Sequence, residues 1–324
     1  MKTASRKKSP SKKSKKISVI IPCYNEEENV VAMAKAIEEE LVKSCPAYDY
    51  EIVFIDNYST DNTRPLLRAL CGKNKKVKAI FNARNFGQFN SPYYGITQLD
   101  GDCVISICCD FQDPVELIPT FVKKWEEGAK IVAGIKTASD EGKFVRFLRT
   151  CYYKMIHKMS QVEQIEHFTG FGLYDKAFVD VLRGLHDPTP FLRGIVAELG
   201  FKRVNVPYRQ ARRRAGKTHN DWYSLFDAAM LSFTSYTKQG LRVATIGGFC
   251  ASGLAFALGV VYLVAKLLHW HRFTAGTVPI LISVLFLGSL QLFFTGFLGE
   301  YIMSMNNRIM NRPLVIEEER INFD

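Results

Sequence analysis

The sequence predicts an α/β protein: a mostly parallel sheet with helices on both faces, followed by a two-helix transmembrane hairpin. Three observations carry this. From residue 17 to 135, apolar β-rich runs alternate with segments of helical period. The strand segments are apolar almost throughout, as in parallel sheets covered on both faces. Two long runs near the C-terminus hold no charged residue. The 324 residues suffice for one large domain or two smaller ones.

The elements follow in order. "ISVIIPCY" is a first strand, and "NEEENVVAMAKAIEEELVK" a helix whose Val30, Met33, Ala34, Ile37 and Leu41 share one face. Asn25 is placed as its N-cap, with acids in the first turn. "YEIVFIDN" is a second strand, and "STDNTRPLLRALC" a helix with Ser59 or Asp61 near its cap. "KVKAIFNA" and "NSPYYGITQL" are the third pair. "CVISICCD" is a fourth strand, with Cys108 and Cys109 taken as strand packing. "PVELIPTFVKKWEEG" is a helix with Pro114 in its first turn, and "KIVAGI" a fifth strand.

Residues 243–265 and 273–299 are free of charge, and each is long enough to cross a hydrocarbon core of about 30 Å. The short link between them holds Lys266 and Arg272, while Lys238, Arg242, Arg308 and Arg312 flank the outside. That bias places both termini and the N-terminal domain on the cytoplasmic side of the plasma (inner) membrane, the protein being multi-pass. Gly247, Ala251, Ala255 and Gly259 form a stripe of small residues, serving either the hairpin or a homo-oligomer contact.

The net charge is +11, and residues 1–16 carry eight Lys/Arg and no acid. Most of the excess therefore sits in a tail that reads as disordered, without the apolar stretch of a secretory signal. Anionic lipid is its first expected partner, not nucleic acid. The eight cysteines form no C-x-x-C pair, which favours a reducing, cytosol-facing compartment.

Four expected strands end in polar residues: Tyr24-Asn25-Glu26, Asp56-Asn57, Arg84-Asn85 and Asp110-x-Gln112-Asp113. Ligands of such sheets sit beyond the carboxyl ends of the strands. No G-x-G-x-x-G follows the first strand and no G-x-x-x-x-G-K-[ST] occurs, so dinucleotide-fingerprint and P-loop chemistry are disfavoured. Strand-end carboxylates holding Mg2+ or Mn2+ would neutralise a diphosphate instead, with Asp110 and Gln112 as oxygen ligands.

"SVIIPCYNEEENV", "IVFIDNYSTDNT", "NARNFGQ" and "DFQDPVELIP", in this order and followed by two apolar spans, resemble the inverting family 2 glycosyltransferases of GT-A fold. The likeness is strongest to polyprenyl-phosphate glycosyltransferases: bactoprenol glucosyltransferases and, more distantly, dolichol-phosphate mannose synthases. It runs from Ile17 to about Ile316. The resemblance implies a nucleotide-sugar site at Pro22, Tyr24, Glu26 and Asp56, with Lys217 and Thr218 in a closing loop of pattern R-x-x-G-x-[ST]; Arg84 either contacts the nucleotide or braces the third strand. It implies a D-x-D metal site at Asp110, although Cys108 stands where its first Asp would be. D-D-G-S is here Asp56-Asn57-Tyr58-Ser59, and G-D-F-R-L is Thr169-Gly170-Phe171-Gly172-Leu173.

A polyprenyl phosphate is already an anionic nucleophile, so positioning and charge neutralisation matter more than a strong base. Asp110, Asp113 and Arg213 are the expected catalytic set, and Arg146, Arg149, Arg193 and Arg213 the expected acceptor-phosphate ligands. Arg146 and Arg149 lie in "KFVRFLRTCYYKMIHK", which suits an interfacial amphipathic helix. The expected division is a tail (1–16), a GT-A catalytic domain (17–221), an amphipathic juxtamembrane helix (222–242), the two spans and a cytoplasmic C-terminal segment (300–324). UDP-glucose is the first donor expected, ahead of UDP-N-acetylhexosamines and GDP-mannose. A non-catalytic degenerate homologue is the alternative from another class. Processive polysaccharide synthesis is disfavoured by the absence of Q-x-x-R-W.

Overall fold

The computed structural model describes residues 15–138, 165–211, 213–214, 230, 239–268, 277–310 and 312–323. These form two compact units. The first holds eight strands in one sheet, ordered β7-β5-β6-β4-β1-β2-β3-β8. In chain order they are β1 (Lys16–Cys23), β2 (Asp49–Asp56), β3 (Val77–Asn82), β4 (Cys103–Ser106), β5 (Ile131–Ala138), β6 (Phe168–Asp175), β7 (Arg203–Arg209) and β8 (Glu317–Ile321). β1 pairs in parallel with β2 and β4, β2 with β3, and β5 with β7. β6 runs antiparallel between β4 and β5, and β8 antiparallel to β3.

Side chains alternate across the sheet and build two cores. Ile17, Val19, Ile21, Ile52 and Phe54 face one side. There they meet α1 (Val30–Ser44), α2 (Thr63–Lys73) and α4 (Ile118–Glu126) through residues such as Met33, Leu67 and Phe121. Ile20, Val53, Ile55, Ile80 and Val104 face the other side. They pack with α3 (Gly87–Thr97), α5 (Lys176–Leu185) and α6 (Leu192–Glu198) through Tyr93, Ile96, Phe178 and Ile195. The five α1 residues expected on one face are the five that are buried.

Three local expectations are corrected. α1 begins at Val30 with Asn29 at its cap. Asn25 instead takes φ 54 and accepts the Thr60 backbone N–H on its Oδ1 at 2.8 Å, tying the β1 end to the β2 end. β4 stops at Ser106, so strand alternation does not reach the cysteines: Cys109 is buried but Cys108 is exposed. The C-terminal segment is not merely an extension past the apolar helices, since residues 317–321 form the edge strand β8.

In β6, a Cβ on Gly172 would collide with the Val132 carbonyl oxygen. That close strand approach accounts for glycine in the Thr169–Leu173 segment.

The second unit holds α7 (Gln239–Leu268, 30 residues) and α8 (Thr277–Ile309, 33 residues). Within α8, Phe286–Ile309 is long and apolar enough to cross a membrane. This stretch lies toward the C-terminal side of the expected 273–299 span. Ile246, Phe249, Leu254 and Val261 of α7, and Phe286, Leu292 and Phe293 of α8, are all exposed. Large apolar side chains left uncovered in this way mark a lipid or protein contact.

Candidate active site

The carboxyl ends of β1, β2, β3 and β4 converge, and a strap of chain after β7 crosses the β4 end. Each parallel strand carries its own device. Beyond β1, the Glu26 N–H donates to Thr63 Oγ1 at 2.8 Å, and the Asn25 N–H to Ser59 Oγ at 2.8 Å. The Glu26 carboxylate turns back under the rim. It accepts Asn29 Nδ2 on Oε2 at 2.6 Å and Arg213 Nη2 on Oε1 at 2.6 Å. Burial pushes the pKa of Glu26 above the usual glutamate range; Asn29 and Arg213 offset this in part, and the Asp110 charge adds to it.

At the end of β2, Asp56 is completely buried. Its oxygens accept the Ser59 N–H at 3.3 and 3.2 Å and Arg64 Nε at 2.7 Å. Asn57 organises the β3 end. Its Nδ2 donates to Asn85 Oδ1 at 2.9 Å, and its Oδ1 accepts Asn82 Nδ2 at 3.1 Å and the Phe86 N–H at 2.9 Å. Asn82 donates onward to Ser91 Oγ at 3.0 Å. Arg84 is exposed, stacked 4.1 Å over the Phe86 ring and donating to the Asn85 carbonyl at 3.1 Å.

Beyond β4, Asp110 Oδ1 accepts the Gln112 N–H at 3.1 Å, while Oδ2 lies 3.5 Å from Arg213 Nε. One guanidinium thus bridges Glu26 and Asp110. Its approach is fixed by the strap. The Ala211 N–H donates to the Gln112 carbonyl at 3.2 Å, the Arg214 N–H to the Asp110 carbonyl at 3.3 Å, and Gln210 Nε2 to Gln112 Oε1 at 3.2 Å. Arg214 also covers the Phe111 ring at 5.1 Å. Asp113 is buried beneath the strap, accepting Tyr208 Oη at 2.8 Å and the Cys108 N–H at 3.2 Å. Burial drives its pKa upward against those two hydrogen bonds.

Three non-glycine residues with positive φ sit at the ends of β1, β2 and β4: Asn25 (φ 54), Tyr58 (φ 70) and Phe111 (φ 59). For Tyr and Phe this backbone region is strained, and such strain concentrates at functional sites.

Of the expected site residues, Glu26 and Asp110 both pair with Arg213, with Gln112 held by the same strap and Asp113 by Tyr208 of β7. Pro22 and Tyr24 are half-buried at the β1 end, and Arg193 is half-buried on α6. Arg146, Arg149, Lys217, Thr218, the tail up to residue 14 and most of the expected juxtamembrane helix lie outside the described residues. Sequence reasoning missed Arg64, Tyr208 and Gln210. Tyr208 and Gln210 fall in the basic stretch "YRQARRRAGKTHN", but neither is basic. No local pattern marks Arg64.

Fold and rim together define an α/β enzyme whose ligand site lies past the carboxyl ends of parallel strands, with paired carboxylates and an arginine at its floor. Residues 18–182 match the family model described as Glycosyl transferase family 2. The chain is 32% identical over 302 residues to the SfII prophage-derived bactoprenol glucosyl transferase of Shigella flexneri, covering 93% of this chain and 97% of that protein. It is 32% identical over 303 residues to the prophage bactoprenol glucosyl transferase homolog of Escherichia coli (strain K12), covering 93% and 98%. It is 31% identical over 306 residues to the uncharacterized glycosyltransferase YkoT of Bacillus subtilis (strain 168), covering 92% and 89%. The chain belongs to glycosyl transferase family 2 and is a glycosyltransferase, and its mostly parallel sheet agrees with the GT-A class that the sequence suggests.

Proposed function

We propose that this chain moves a hexose, glucose first, from a nucleotide donor to a polyprenyl phosphate at the cytoplasmic face of a membrane. UDP-glucose is the donor favoured, because relatives matched along nearly their whole length bear the name bactoprenol glucosyl transferase. The observation that carries the reading is the Glu26–Arg213–Asp110 cluster at the sheet rim.

The residues present fit a divalent ion shared with the donor. Among the described residues no three His, Cys, Asp or Glu side chains are arranged to hold a metal. Mg2+ needs no protein cage, however; it binds through one or two carboxylates and completes its shell with phosphates and water. Asp110 would hold Mg2+ or Mn2+, with Gln112 beside it, and the ion would neutralise charge building on the leaving diphosphate. Arg213 supplies a second counter-charge on a strap that Tyr208 and Gln210 keep in register. Asp113 orients that strap through Tyr208. Asp56 holds Arg64 at the nucleoside end, and Pro22, Tyr24 and Arg84 border the donor.

In the transfer, an acceptor phosphate oxygen bonds to the anomeric carbon as the bond from that carbon to the diphosphate oxygen breaks. The electron pair leaves with the nucleoside diphosphate. The acceptor is already ionised, so no side chain need remove a proton. Arg193 and Arg213 are the described groups proposed to steady its phosphate, alongside Arg146, Arg149, Lys217 and Thr218.

A topological argument supports a multi-pass arrangement. β7 and β8 belong to one sheet, so both would lie on the same side of a bilayer. If Phe286–Ile309 crosses a bilayer, parity requires a second crossing, and α7 has the length for it.

The test uses isolated membranes, radiolabelled UDP-glucose and added polyprenyl phosphate. Label should pass into the organic phase only with Mg2+ or Mn2+ present, and Asp110→Ala should abolish the transfer. Transfer that persists undiminished in Asp110→Ala would remove this residue from the mechanism. Transfer from GDP-mannose or a UDP-N-acetylhexosamine, and not from UDP-glucose, would overturn the choice of donor.

A further inference from the structure

The buried position of Asp56 shifts attention to what stands in front of it. With both its oxygens turned toward Ser59 and Arg64, the side chains leading outward at this strand end are Tyr58 and Arg64. Tyr58 is 44% exposed. It occupies φ 70, a conformation glycine adopts freely and a bulky residue adopts at a cost. A costly exposed ring at the carboxyl end of a parallel strand calls for a use.

Arg64 is fixed from three strands. Nε donates to Asp56 at 2.7 Å, Nη2 to the Asn82 carbonyl at 2.8 Å, and Nη1 to Glu318 of β8 at 2.9 Å. Its guanidinium carbon lies 5.3 Å from the Tyr58 ring centre and 5.4 Å from that of Phe81. β8 is held in place independently. Arg68 pairs with Glu319 at 2.6 Å, and Asn322 Nδ2 donates to the Cys71 and Val77 carbonyls, each at 2.8 Å. The result is a planar aromatic surface backed by an immobilised planar cation. A nucleobase has the matching chemistry: a π-face to stack and carbonyl edges that accept hydrogen bonds.

We propose that Tyr58 and Arg64 form the face that receives the nucleobase of the donor, and that Glu318, returning on the C-terminal strand, positions Arg64 within it. This rests on the donor being a nucleoside diphosphate sugar, as proposed above. The segment that follows the apolar helices then belongs to the donor site, through the Arg64–Glu318 ion pair.

Full-length protein in detergent is titrated calorimetrically with UDP and, in parallel, with GDP. Wild type should bind one of the two. Tyr58→Gly should weaken that binding about tenfold, while its Tm stays unchanged or rises because the backbone strain is relieved. Glu318→Gln should weaken it about threefold, raising the donor KM with kcat unchanged, and Glu318→Asp should restore much of the loss. Equal affinity in wild type and Tyr58→Gly overturns the base-contact role and leaves the donor assignment standing. Equal affinity in wild type and Glu318→Gln overturns the positioning role of β8. Absence of binding by wild type to either nucleotide overturns both this inference and the donor assignment.

Discussion

The two ends of the sheet each bury a glutamate beside basic side chains, and they use it differently. At the amino end, Glu51 of β2 accepts Lys16 Nζ at 2.7 Å, Lys78 Nζ at 2.9 Å and Ser18 Oγ at 2.5 Å, drawing three adjacent strands together. Burial acts to raise its pKa, but the hydrogen bonds from Lys16, Ser18 and Lys78 outweigh it and leave Glu51 below the usual range. At the carboxyl end, Glu26 shares one arginine with Asp110, and burial wins, leaving it above the usual range. The amino end is therefore satisfied and closed. At the carboxyl end two carboxylates, Glu26 and Asp110, share the single Arg213 guanidinium, which suits a site for a cationic ligand.

The largest expected effect falls at the carboxyl end. Asp110→Ala should lower turnover by at least about a thousandfold, the scale of losing a group that stabilises developing charge, with Tm nearly unchanged. A radiolabel-transfer assay and a melting curve on the same preparation would show both. Next comes the opposite pattern: Glu51→Ala strands two lysines and should cost about 3 kcal/mol of stability, measured by denaturant unfolding, while folded molecules keep their donor KM.

Acidification separates the two ends further. A carboxylate lowered in the fold stabilises it above its unfolded value, and that gain is lost as pH falls through the folded value. Wild type should thus lose stability below about pH 4.3, and Glu51→Gln should flatten that loss. Glu26, raised in the fold, acts in reverse: its ionisation disfavours the fold as pH climbs through its elevated value. Glu26→Gln should accordingly soften any decline in Tm as pH climbs above the usual glutamate range. The smallest effect is at the strap. Tyr208→Phe removes one hydrogen bond to Asp113 and should destabilise by about 1 kcal/mol, with a modest fall in kcat.

The legible parts of the fold are those with simple periodicity. β1 to β4 are nearly all apolar, and α1 shows its buried face directly in its spacing. β7 was not legible, since only Val206 and Tyr208 of its seven residues are buried. β8, "EEERI", is a charged edge strand, a composition that protects edges from unwanted pairing and hides the strand from a hydrophobicity pattern. Its pairing with β3 depends on contacts such as Arg64 to Glu318, 254 residues apart. The site divides similarly. Glu26, Asp110 and Arg213 could be picked out one by one from motif resemblance. Their meeting through a single guanidinium, across 187 residues between Glu26 and Arg213, could not. Asp56 is expected from motif resemblance at the nucleotide-sugar site, whereas its burial and its bond to Arg64 could not be read from the sequence.

The central claim is that the rim carboxylate Asp110 holds a divalent ion together with the donor diphosphate. Electron paramagnetic resonance of Mn2+ tests it most directly, with purified full-length protein titrated in the presence and absence of UDP. The account predicts Mn2+ binding that tightens when UDP is added and that is lost in Asp110→Asn. Tight Mn2+ binding of equal strength in wild type and Asp110→Asn, with UDP present, would contradict it.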